Sequence, residues 1–291
     1  ARLPRYRRAE HPPRMRLMPR DIDILWWLMC CFFLTSLQIE RLLFRPEKGQ
    51  DHPTKRSVCL RRLLLLYHHR YVRRFELPVA RGQGSGPMLY SLDRRGARLL
   101  QATRGLEKVQ WDRRSQEKAE LTLYHTLALN DVRIAFWLAT REGEISLEEW
   151  VSERALAQRD VSLKVTDPRS GSQAAIRPDA YFVLRRGEKQ SPVFLEVDRG
   201  QTGFARLRRK MRCYQEYYRT GLYETEFHHR GLRLLTVTTS SQRLENLVQC
   251  VEEAGGDELF WFGIQEQMTE HQVLAGRIWR VAGWPGYHAL F

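Results

Sequence analysis

The chain has 291 residues, 43% apolar and 28% charged, which leaves room for two domains and is too apolar for a disordered tail. Its formal charge of +14 is unevenly placed: residues 1–120 carry 26 Lys and Arg against 12 Asp and Glu, and residues 121–291 carry 22 of each. That asymmetry argues against a uniformly basic surface and for a first part that meets a polyanion such as double-stranded DNA, while five cysteines without C-x-x-C spacing argue against a zinc finger or disulfide framework and for a reducing cytoplasm.

Residues 1–17 are basic and broken by prolines, which predicts a flexible arm. Pro19, Asp21 and Asp23 suit a first helical turn, with Ile22, Leu25, Trp26 and Met29 recurring at helical spacing. The apolar run Ile24–Leu34 is 11 residues, too short to cross a bilayer, and reads as buried helix; nothing in the opening residues reads as a secretory leader. Thr35 and Gln38 open a second helix as a capping box, with Ile39, Leu42 and Leu43 inward. A third helix starts near Thr54. It points Val58, Leu60, Leu63 and Leu64 to the core and leaves Lys55, Arg56, Arg61 and Arg62 for the polyanion.

Two strands follow, within 71–80 and 88–92, joined by a glycine loop that includes Arg81. The loop precedes a strand, so it is neither a P-loop nor a dinucleotide fingerprint. Three helices and a glycine-tipped hairpin predict a winged helix over 18–115. In that arrangement the third helix enters the major groove and the wing touches the backbone. A further helix covers 93–102, and the charged, aperiodic stretch after it reads as a linker with a domain boundary near residue 115.

From Leu121 an amphipathic helix is followed by strands near 161–165, 177–185 and 192–198 and a helix over 203–218. An apolar strand at 232–239, a helix at 242–254 and a strand at 259–264 complete the set. Alternating helices and apolar strands predict an α/β domain with a mixed sheet over 116–291. Arg177-Pro178-Asp179 begins one strand, and Glu196-Val197-Asp198 ends the next, with both acids of the second motif on one strand face. A Pro-Asp on one strand and an acid-x-lysine on its neighbour is the metal-binding signature of restriction-endonuclease-like nucleases. Asp179 and Glu196 would then converge on Mg²⁺ or Mn²⁺, with the Val197 carbonyl as a further ligand.

The lysine position holds Asp198. Three readings stand: Lys210 supplies the ammonium from the following helix, Asp198 is a further ligand, or the acids form an inert ion-pair network. Asp131, on the helix before the sheet, is a candidate third carboxylate; His125 beside it reads as a buried, hydrogen-bonded histidine. The pairs His68-His69 and His228-His229 read as surface residues, and Tyr214, Tyr217 and Tyr218 as core.

The ordered blocks "PRDIDILWWL", "LTSLQIERLLF", "YSLDRRGARLL", "HTLALNDVRIAF", "IRPDAYFVL", "FLEVDRG" and "LTVTTS" together resemble the replication-relaxation family of bacterial plasmids and other mobile elements. The resemblance implies a role in plasmid replication and DNA relaxation. The leading expectation is a winged helix that delivers a nuclease-like domain to DNA, with Asp179, Glu196, Asp198 and Lys210 in the site. The alternative is a non-catalytic replication accessory or transcription regulator, whose second domain docks a replication or mobilisation protein or forms a homodimer. No membrane partner is expected.

Overall fold

A computed structural model of the chain describes residues 3–4, 7–45, 55–77, 86–107, 109, 122–159 and 161–291. It forms two compact units, 1–130 and 131–291. The division falls inside a helix, Leu123–Ala139, whereas position 115, where the sequence suggests the boundary, lies outside the described residues.

The first unit runs α1 (Pro19–Cys31), β1 (Phe33–Thr35), α2 (Ser36–Leu43), α3 (Lys55–His68), β2 (Val72–Glu76), β3 (Met88–Leu92) and α4 (Arg94–Arg104). The strands form an antiparallel sheet in the order β1-β3-β2. Pro19 opens α1, and Asp21 closes a capping box by accepting from the Met18 N–H at 2.7 Å. The apolar run is not helical to its end. Phe32 takes a left-handed φ of 62°, and Phe33–Thr35 pairs with β3. The α2 capping box forms as its sequence predicts, with the Gln38 N–H donating to Thr35 Oγ1 at 3.1 Å and the Thr35 N–H to Gln38 Oε1 at 2.9 Å.

Two helix faces differ from expectation. In α1 the buried residues are Asp21, Ile24, Leu25, Trp27, Leu28 and Cys31, so the stripe is rotated and takes a carboxylate inward. In α3 the core is met by Cys59, Leu63 and Leu66, while Val58 and Leu60 are exposed. The arm is not free: Arg8 pairs with Asp93 at 2.6 Å, and the Ala9 N–H donates to Nδ1 of His68 at 3.0 Å. His68 is buried rather than a surface residue.

The second unit continues α5 (Leu123–Ala139), β4 (Ile145–Ser152), α6 (Glu153–Leu156), β5 (Lys164–Thr166), β6 (Gln173–Ala175), β7 (Ala180–Arg186) and β8 (Lys189–Asp198). It ends with α7 (Phe204–Arg219), α8 (Leu222–Phe227), β9 (Arg233–Thr238), α9 (Ser241–Glu252), β10 (Phe260–Ile264), β11 (Trp279–Val281) and β12 (Tyr287–His288). A seven-stranded mixed sheet has the order β12-β11-β10-β9-β8-β7-β4, with β8, β9 and β10 mutually parallel. β5 and β6 pair separately.

One sheet face carries Tyr181, Val183 and Phe194 into a core shared with Leu207, Met211 and Tyr214 of α7, Tyr223 and Phe227 of α8, and Leu244 and Leu247 of α9. On the other face Phe136 of α5 lies 4.8 Å from Phe182, which stacks on Trp150 at 4.9 Å. No described helix is long and apolar enough to cross a membrane.

Candidate functional site

The site is set by strand register. β7 and β8 pair antiparallel with Ala180 facing Leu195 and Tyr181 facing Phe194. The regular pairing ends there; Asp179, just before β7, donates its N–H to the Leu195 carbonyl at 2.9 Å, one residue off that register, and so lies at the same end of the strand pair as Glu196. By alternation Glu196 shares the face of Phe194, just past the aromatic core, and the Asp179 carboxylate acts electrostatically on both Glu196 and Tyr214. The Asp179 carboxylate accepts from the Val197 N–H at 2.7 Å, which ties the two strand ends together.

Helix α7 supplies the partners. Lys210 and Tyr214 are four residues apart and so lie on one helix face. The Lys210 ammonium donates to Oε2 of Glu196, and the Tyr214 hydroxyl donates to Oε1. Of the three readings of the missing lysine, the structure puts Lys210 on the Glu196 carboxylate. Tyr214, expected only as core, adds a second hold on it.

Asp198 goes elsewhere. Arg243 of α9 grips it through Nε at 2.8 Å and Nη2 at 3.2 Å, and the Thr238 hydroxyl donates to it at 3.0 Å. Arg243 also donates to the Thr202 carbonyl at 2.7 Å and stacks on Phe204 at 4.6 Å. Through Arg243, Asp198 pins the turn between β8 and α7 to α9. Asp131 lies on α5, whose Phe136 packs against Phe182. Among the described residues no group of three or more His, Cys, Asp and Glu side chains is placed to hold a metal.

Burial pushes the pKa of Glu196 up from 4.5 to about 7, with Lys210 pulling down and Asp179 pushing up. The raised value means that the folded chain holds this proton more tightly than the unfolded one. Glu196 therefore favours folding fully below pH 4.5, and that contribution is lost as pH rises from 4.5 to about 7. Thermal unfolding without divalent cations should show wild type losing stability relative to Glu196→Gln across that window. Parallel curves for the two proteins would show that Glu196 keeps an ordinary pKa.

In the first unit the expected DNA-contact residues separate. Arg56 is exposed and 4.0 Å from Glu40, and Arg61 is exposed. Arg62 is committed inward, with Nε 3.0 Å from Oδ1 of the buried Asp21 and Nη2 on Oδ2 of that carboxylate. It also donates to the Arg16 carbonyl at 3.1 Å. Lys55 begins α3, but its side chain, like all of Arg81, lies outside the described residues.

The model of the family described as replication-relaxation matches residues 25–229. Among solved structures, the restriction endonuclease FokI aligns with 86% of this chain and 42% of its own, at 10% identity and a TM-score of 0.31. FokI bound to DNA aligns with 85% of this chain and 43% of its own, at 12% identity and a TM-score of 0.28. The chain thus spans under half the length of these loosely similar structures. No curated protein matches it significantly.

Proposed function

The chain belongs to the replication-relaxation family, and from that premise we propose that it is a DNA-binding protein of a plasmid or other mobile element that cuts or nicks phosphodiesters with a divalent cation. The observation that carries this reading is the meeting of Asp179 and Glu196 at one end of β7 and β8, with the Lys210 ammonium on Glu196.

The residues fit Mg²⁺ or Mn²⁺. Hard cations take oxygen donors, and Mg²⁺ commonly uses one or two carboxylates and leaves its other positions to water and substrate phosphate. Asp179, Glu196 and the Val197 carbonyl are such donors, and the two like charges at one strand end disfavour each other until a cation is shared. When bound, the ion would polarise the scissile phosphate and make a bound water acidic. Lys210 and Tyr214 orient the Glu196 carboxylate, and the half-exposed Lys210 holds positive charge where a pentavalent phosphate would gather negative charge.

The first unit supports the DNA half of the reading. Three helices and the sheet order β1-β3-β2 suit a winged helix with α3 as the recognition helix and β2 and β3 as the strands of the wing. The outward side of α3 presents Arg56, Val58, Leu60 and Arg61. Arginine suits guanine edges and phosphates, and aliphatic groups suit thymine methyls.

A second reading, a replication accessory without catalysis, is favoured by the polar network itself, because Lys210, Tyr214 and Arg243 already occupy Glu196 and Asp198. Incubation with supercoiled plasmid separates the two readings. The nuclease reading expects open-circular or linear product with Mg²⁺ or Mn²⁺ and none with a chelator; intact supercoils under both conditions would favour the accessory.

A further inference from the structure

The opposite end of the same strands holds a second feature. The Glu196 site lies at the C-terminal end of β8, beside the start of β7 and the end of β9, whereas Ser191, Pro192 and Arg233 lie near the starts of β8 and β9. Three to five residues of strand, roughly 10–17 Å at about 3.3 Å per residue, separate the two. A cavity of about 340 Å³ opens there, lined among others by Ser191, Tyr218, Arg233, Trp261 and Trp284. Its volume is that of small-ligand sites, which begin near 300 Å³.

Its chemistry is that of an anion beside a flat ring. The Arg233 guanidinium donates to Ser191 Oγ and lies 5.2 Å from the Trp261 ring centre and 5.7 Å from that of Phe291. It forms no ion pair among the described residues, and Glu258 lines the same cavity. Burial depresses its pKa, and no carboxylate offsets that effect. A desolvated cation with a hydroxyl and aromatic faces as neighbours stays costly until an anion joins it. Around it Trp284 and Tyr218 are exposed by 43% and 37%, and Trp284 packs edge-on against Trp261 at 6.3 Å. Exposed aromatic rings beside an arginine are what unpaired bases stack on.

We propose that this cavity binds one nucleotide of single-stranded DNA, its phosphate on Arg233 and its base against Trp284. The choice of ligand rests on the DNA reading above, but the site does not depend on cleavage. A paired base, stacked on both faces, cannot enter a concave pocket, so the strand must be unpaired, as it is beside a nick or at a melted origin.

Photocrosslinking tests the site. The full chain, irradiated with a thymidine oligonucleotide carrying one 5-iodouracil, should crosslink at Trp284 or Tyr218 as mapped by mass spectrometry. Trp284→Leu and Arg233→Gln should each lower the yield by about tenfold, the loss of one stacked base or its phosphate anchor, with duplex affinity unchanged. Arg233→Gln replaces a partly buried group; should it fail to fold, Trp284→Leu, at an exposed position, decides the matter alone. Crosslinks confined to residues 1–130, or an unchanged yield in Trp284→Leu, would overturn the proposal. Displacement by thymidine monophosphate at the same concentration as by the oligonucleotide would overturn the strand assignment and make a free nucleotide the ligand. Plasmid cleavage that fails while the crosslink at Trp284 persists would count against the nuclease site alone.

Discussion

Asp179→Ala and Glu196→Ala are each expected to reduce Mg²⁺-dependent conversion of supercoiled plasmid by ~100-fold or more, beyond the roughly 10–100-fold typical of changes to residues that only support a metal's ligands. Each substitution removes one of the two carboxylates that meet at one end of β7 and β8, and a single remaining acid leaves the cation to water. Duplex affinity, measured by gel shift in chelator, should stay within about twofold, since the basic excess lies in residues 1–120. Lys210→Ala separates chemistry from cation binding, because it takes away the ammonium on Glu196 and leaves both carboxylates. Cleavage should fall while Mn²⁺ affinity holds or rises. Equal losses of affinity and rate in all three variants would point to a collapsed strand end rather than to separate roles.

The second large effect concerns folding. Arg62→Ala should destabilise the first unit by about 3–5 kcal/mol, because it strands the carboxylate of Asp21, which is 1% exposed, without its guanidinium. Arg61→Ala, one position earlier but exposed, should change stability by no more than about 0.5 kcal/mol. It should instead weaken duplex binding and flatten its salt dependence by about one phosphate's worth. Urea unfolding and salt-dependent gel shifts on the two variants check both halves. The double change Asp21→Leu with Arg62→Met should recover most of the lost stability, as replacing a whole buried pair commonly does. A mild Arg62→Ala with strongly reduced DNA binding would place Arg62 on the DNA surface instead.

These two arginines show where sequence reading stops. The start of α1 and the α2 capping box are local, written in Pro19, Thr35 and Gln38, and they form as read. The phase of α3 is not local. Four consecutive leucines, 63–66, give no period, so only tertiary packing decides that Cys59, Leu63 and Leu66 face inward and Val58 and Leu60 outward. The strand β1 is three residues at the end of an apolar run, specified by pairing with β3 rather than by composition. β4 was hidden for another reason. It is an edge strand rich in acids, with a register shift between Leu147 and Glu149, and Glu144 and Glu148 meet Arg186 and Arg185 of β7.

In the candidate site, the alternation of Glu196 and Asp198 with Val197 made both acids visible, and the helical phase of Lys210 pointed it toward the strand end. The division of labour between the acids depended on residues far along the chain. Arg243, 45 positions after Asp198, carries no motif, and Tyr214 reads as core until its hydroxyl is placed on Glu196. For Asp131 the helix is foreseen, but sequence does not say which sheet face that helix covers.

Whether Asp179 and Glu196 share a divalent cation is decided by anomalous diffraction from crystals soaked in Mn²⁺. The expected result is a peak about 2.1 Å from a carboxylate oxygen of each residue, with Lys210 displaced from Oε2 or shifted toward solvent and the Arg243 grip on Asp198 unchanged. A map without a peak there at saturating Mn²⁺, with Lys210 still on Glu196, would refute the shared site.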